Sequence, residues 1–190
     1  MLVFERRFRS CVIDPACDEL ELHMRLTVRR SSCACGRVQC EAIGEPILSA
    51  VCYCKDCQEG GRRIEALPNA APILDPEGGA PYLTYRDDRF RVLSGDELLA
   101  DYRLYPKSRT RRVVASCCCT GMYLKFEPGF WVSTYRSRYE GDLPPIEMRT
   151  KTRHRNPVAE LPSGAPSYRG YPARLFWRLI AARAAMLLGR

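Results

Sequence analysis

The chain has 190 residues, a net charge of +8 and 46% hydrophobic against 27% charged residues. That balance excludes an intrinsically disordered chain and fits one soluble domain with a core of its own. The basic excess, mostly arginine, admits nucleic acid, anionic lipid or a small acidic ligand without choosing among them.

Residues 1–23 read as an N-terminal extension. They mix charges and hold two isolated cysteines, Cys11 and Cys17, without periodicity. The first ten residues lack the apolar stretch of a secretory signal, which predicts a cytoplasmic protein with reduced thiols. The β-rich domain is expected over 24–140. Segments Arg25–Arg29, Arg37–Ile43 and Pro46–Cys54 read as strands around turns at Gly36 and Gly44-Glu45-Pro46. A glycine- and proline-rich stretch from Gln58 to Pro81 reads as a long loop or lid. Strands resume at Tyr82–Tyr85, Phe90–Leu93, Leu98–Leu104, Arg111–Cys118, Met122–Phe126 and Trp131–Tyr135. Residues 141–170 read as a linker. Residues 171–190 read as a C-terminal helix with Pro172 in its first turn. Its Leu175, Leu179 and Met186 share one face, with Phe176, Ile180 and Leu187 beside it. Its four arginines argue against a bilayer span. The helix is expected to dock on its own domain or on a twin subunit, with an interfacial role on anionic membrane as the sharper alternative.

Eight of the 11 cysteines fall in three clusters: Cys33-Ala-Cys35, Cys52-Tyr-Cys54-Lys-Asp-Cys57 and Cys117-Cys118-Cys119. Neither histidine, His23 or His154, is near them in sequence, so a metal here is held by sulfur, which favours Zn²⁺ or an iron–sulfur cluster. Alternate residues of a strand share a side, so Cys52 and Cys54 can face one way and a turn at Lys55-Asp56 can bring in Cys57. Three thiolates leave a tetrahedral position free, as in a catalytic zinc site; a fourth protein ligand would close it into a structural one. Cys33 and Cys35 need two more ligands, and the 117–119 run is the obvious donor.

The motifs Ser32-Cys33-Ala-Cys35-Gly36-Arg37-Val38, Gly44-Glu45-Pro46 and Cys52-Tyr-Cys54-Lys-Asp-Cys57-Gln58 resemble the glutathione-dependent formaldehyde-activating enzyme family, which includes centromere-protein-V-like proteins. Phe90–Gly95 and Arg111–Val114 resemble it too, so the likeness spans about residues 30–135. The resemblance implies a mainly β, Mss4-like tent of antiparallel sheets stapled by two zinc ions. It implies Cys52, Cys54 and Cys57 as ligands of the catalytic zinc, and Cys33 and Cys35 as ligands of the structural one. It implies the joining of glutathione and formaldehyde into S-hydroxymethylglutathione, a carbon–sulfur lyase-type reaction with glutathione or a similar small thiol as partner.

The third motif departs from the family pattern. Where the family has Cys-x-x-Cys, this chain has Ala115-Ser116-Cys117-Cys118-Cys119, leaving the structural site at risk of being incomplete. Cys118 and Cys117 are the expected ligands, with Cys119 in reserve; adjacent thiols converge only across a bulge or tight turn. Lys55, Arg62, Arg63 and Arg112 are candidates to offset site charge or to bind substrate carboxylates. Asp56 and Tyr53 are candidate assisting groups. The rival function is a non-catalytic zinc-stabilised module that binds nucleic acid or a thiol ligand. Against nucleic acid, neither cysteine spacing matches a nucleic-acid-binding finger.

Overall fold

In a computed structural model, residues 27–158 and 160–189 are described. Cys11, Cys17, His23 and most of the strand expected from Arg25 lie outside these residues. The architecture is mainly β, in two sheets. The smaller holds β1 (Val28–Ser32), β2 (Gln39–Ile43) and β5 (Phe90–Ser94), all antiparallel. The larger has seven strands. Its order is β10 (Met148–Thr150), β3 (Leu48–Cys52), β4 (Ala80–Arg86), β9 (Trp131–Tyr135), β8 (Thr120–Phe126), β7 (Thr110–Ala115) and β6 (Leu99–Tyr102). Every pairing in it is antiparallel except β10 on β3. Strand β4 lies inside the sheet and is buried along most of its length, as its near-continuous apolar run demands.

Two stretches differ from the sequence reading. The expected loop or lid over 58–81 begins instead as helix α1 (Lys55–Glu65). Gly60 and Gly61 make this helix hard to read, since each costs about 1 kcal/mol against alanine. The packing explains them: a Cβ on Gly60 would overlap the Arg112 guanidinium, and one on Gly61 would lie 2.5 Å from Leu74. The rest of the loop is strapped down rather than free. Glu65 Oε1 accepts from the backbone of Ile73 (2.6 Å) and Leu74 (2.7 Å), and Arg138 donates to the Pro72 carbonyl (2.5 Å). Ile73, 2% exposed, plugs the core formed with Ile64, Tyr82, Val114, Leu124 and Tyr135.

The expected linker over 141–170 supplies β10, which pairs in parallel with β3 so that Thr150 stands opposite Cys52. Residues 166–170 then run beside β10. Tyr168 donates to the Arg149 carbonyl (2.8 Å), and Lys151 donates to the Gly170 carbonyl (3.1 Å). Helix α2 (Ala173–Leu187) follows. Among the described residues no helix is long and apolar enough to cross a membrane.

Candidate metal centres

Two groups of cysteines have sulfurs within 4.8 Å of one another: Cys33, Cys35, Cys117 and Cys118, and separately Cys52, Cys54 and Cys57. Cys119 belongs to neither.

The four-thiol group joins two tight turns. Between β1 and β2 the chain folds over Cys33–Val38, where Cys33 N donates to Val38 O (3.0 Å) and Gly36 N to Cys33 O (2.9 Å). Between β7 and β8 the turn closes with Cys118 N donating to Ala115 O (3.3 Å), and Cys119 takes the left-handed conformation, φ 53°. A register shift between Val113 and Val114 adds a bulge just before it. This turn and bulge swing Cys117 and Cys118, neighbours in sequence, toward the same point. The sulfur separations are 3.6 Å (Cys33–Cys35), 3.8 Å (Cys33–Cys117), 3.4 Å (Cys35–Cys117) and 3.8 Å (Cys117–Cys118). A tetrahedral zinc with Zn–S of about 2.3 Å holds its sulfurs about 3.8 Å apart, so the set fits a zinc ion with a closed shell. Outer contacts fix the ligands: Val38 N–H points at Cys33 Sγ (3.3 Å), and Thr120 Oγ1 lies 3.1 Å from Cys118 Sγ while accepting from Ala34 N. The Arg37 backbone N–H, with help from Cys117, lowers the Cys35 thiol to about 6, while burial and then Cys35 push Cys117 up to about 12.

The three-thiol group is local. Cys52 ends β3. Cys54 caps α1, its sulfur accepting from Cys57 N (3.3 Å), and Cys57 lies in the first turn. The positive end of the helix favours thiolates there. Hydrogen bonds from Cys54 and Cys57 hold the Cys52 thiol well below its ordinary range. The same bonds, together with burial, hold Cys57 well above, and the bond to Cys52 raises Cys54. The set therefore titrates as a unit. Three soft sulfurs at one point fit zinc with a position left over.

Two residues that the cysteine motifs do not announce complete this surrounding. Arg112, on β7, is 1% exposed and lies on the inner face of α1, the face that carries Cys57 and Gly60. Its Nη2 donates to the Asp56 carbonyl (2.6 Å), and its Nε and Nη1 have no hydrogen-bond partner among the described residues. The buried hydroxyls of Tyr82 and Tyr135 lie close by, Tyr82 beside Cys57. The second residue is Tyr171. It is 45% exposed, and burial of its hydroxyl and then the charge of the three thiols, Cys52 first, drive its pKa up. The Lys151 ammonium sits 4.3 Å from the centre of the Tyr171 ring.

The other candidates fall elsewhere. Arg62 and Arg63 lie on the outer face of α1, paired with Glu59 at 2.9 and 2.6 Å. With Lys55, Gln58, Tyr105 and His154 they line a cavity of about 380 Å³ on the side of the helix away from Cys57. Tyr53 is fully buried, and its hydroxyl donates to Asp75 (3.0 Å), holding the 66–79 loop rather than serving the thiols. Asp56 contributes its backbone carbonyl. Arg112 was detectable only as a basic residue on a strand, and Tyr171 not at all, since no spacing rule ties it to Cys52.

No curated protein matches the chain significantly. Among solved structures, a Rhodobacter sphaeroides protein from a structural genomics programme aligns with a TM-score of 0.44 at 17% identity, over 73% of this chain and 98% of that one. Residues 28–66 match the family model of glutathione-dependent formaldehyde-activating enzymes. That stretch holds Cys33, Cys35 and the whole three-thiol group.

Proposed function

We propose that the chain is a zinc-dependent carbon–sulfur lyase of the formaldehyde-activating type, which joins a small thiol such as glutathione to an aldehyde and splits the adduct in reverse. The observation that carries this reading is the unequal pair of thiol groups, four sulfurs in one and three in the other. Zinc held by Cys52, Cys54 and Cys57 would supply the Lewis acidity that ionises a substrate thiol at neutral pH.

The chain's own residues have separable tasks. A centre of three thiolates and one Zn²⁺ carries a formal charge of −1. Arg112, buried without a carboxylate partner among the described residues, supports the reading by offering the compensating positive charge from beneath α1. The Tyr171 phenol is the proton-holding group that faces the thiols. In the forward reaction the substrate sulfur forms a bond to the aldehyde carbon, the carbonyl π pair moves to oxygen, and Tyr171 donates its proton to that oxygen. The proton lost from the substrate thiol restores the phenol, so the product is a neutral hydroxymethyl thioether. Lys151, stacked on the ring, lowers the cost of the transient phenolate and offers a cation to a substrate carboxylate.

The test joins metal analysis to rate. Wild type should hold two zinc ions per chain and accelerate S-hydroxymethylglutathione formation in exchange NMR with formaldehyde and glutathione. Tyr171→Phe should keep both ions and lose about 10²-fold or more of the acceleration. Two bound zincs with no acceleration in the wild type would sink the reaction while leaving the metal sites.

A further inference from the structure

Helix α2 is turned with its apolar face outward. Phe176, Trp177, Ile180 and Leu187 are 51%, 69%, 57% and 72% exposed. At 100° per residue they share one stripe, with Ala173 and Ala184 between them. The inward positions Leu175, Leu179, Ala182 and Met186 are only half-buried. A polar clamp helps hold this side: Arg178 donates to the Ile47 carbonyl (3.2 Å) and pairs with Glu147. Beside the stripe, Arg183 reaches a row of half-buried aromatic rings on the body. Arg183 sits 5.3 Å over Phe130, which meets Trp131 at 5.1 Å, and Trp131 in turn lies 6.0 Å from Phe126 beneath Arg109.

We propose that this stripe docks the protein on the surface of an anionic lipid bilayer. Three observations select that occupant. The stripe exposes large apolar side chains with an indole among them, the composition that settles at a headgroup boundary. The charges of α2 are all positive, with no Asp or Glu from Ala173 to Leu187, and arginines border the stripe at Arg183 and Arg109. The chain as a whole carries +8. A second copy of the same face would bring arginine against arginine at a dehydrated contact. Nucleic acid needs donors aimed at phosphates, and an apolar stripe offers none. The helix is too short and too charged to cross, so it lies along the boundary.

The experiment is co-sedimentation of the full chain with phosphatidylcholine vesicles and with vesicles of equal parts phosphatidylcholine and phosphatidylglycerol. The wild type should sediment with the anionic vesicles, less so as salt rises. Trp177→Glu with Ile180→Glu should lower that partitioning by more than about tenfold, since two large apolar side chains give way to charges that an anionic surface repels. Both side chains are exposed, so circular dichroism and zinc content should not change. Arg174→Glu with Arg183→Glu should lower anionic binding several-fold and leave the neutral vesicles unaffected. Equal sedimentation of the wild type and the Trp177/Ile180 variant overturns the proposal. So does a wild-type dimer seen by light scattering that the same variant dissolves while vesicles bind neither, which would assign the stripe to a second copy. Hydrogen exchange showing α2 protected by residues 1–26 in the absence of lipid would assign it to the chain itself.

Discussion

The two thiol groups differ in how far the chain travels to build them. Cys52, Cys54 and Cys57 sit within one strand end and one helical turn. The four-thiol group instead ties the β1–β2 turn to the β7–β8 turn, with Cys33 and Cys117 separated by 84 positions. A local site costs little loop entropy and contributes little to tertiary structure. A distant site with a closed shell acts as a cross-link between the two sheets, and metal bound there is folding free energy. On the proposed reading, the distant site is the one that holds the molecule together and the local site the one that does chemistry.

The largest expected effect follows directly. Cys33→Ser should remove one zinc and most of the stability, because structural zinc contributes energy comparable to the roughly 5–15 kcal/mol of a whole domain. Cys54→Ser should also remove one zinc but lower the melting temperature far less, while abolishing the formaldehyde–thiol reaction. Calorimetry beside metal analysis decides it. Equal melting temperatures for the two variants would erase the distinction between staple and reaction centre.

This division was partly legible in the residues. The β segments showed themselves through alternating and β-branched runs, and most strand positions expected between residues 37 and 135 overlap the observed ones. The CxCxxC spacing announced three convergent sulfurs because strand alternation alone brings Cys52 and Cys54 to one side. Helix α1 was hidden by Gly60 and Gly61, whose low helix propensity is overridden by the need to admit Arg112 and Leu74. Strand β10 was hidden because three residues among prolines carry no pattern. Arg112 was legible only as one basic candidate among several and Tyr171 not at all, since tertiary packing brings each to its place and local spacing is silent on that.

Arg112 gives the next sharpening. If it balances the charge of a loaded three-thiolate centre, Arg112→Met should weaken zinc there by about 10–100-fold, as loss of an outer-shell partner does, and leave the four-thiol group loaded. In a Cys54→Ser background, where the three-thiol site is empty and the four-thiol site stays loaded, the same substitution should be neutral or stabilising, because it removes a buried cation with no carboxylate partner among the described residues. Opposite signs with and without metal are the signature. Equal destabilisation in both conditions would make Arg112 a packing residue only.

The smallest effect concerns the run of three cysteines. Cys119 is the residue that turns the chain, and it does so at φ 53°, where an L side chain is disfavoured by about 1 kcal/mol relative to glycine. Cys119→Gly should therefore keep both zinc ions and leave the melting temperature unchanged or up to a few degrees higher, the relief of strain being offset in part by the freer unfolded chain. Cys117→Ser, two positions earlier in the turn, should release the zinc of the closed group. If Cys119→Gly released it instead, the third thiol would be a ligand, the turn would have to rearrange on metal binding, and the contrast between a preformed staple and an open reaction centre would lose its geometric basis.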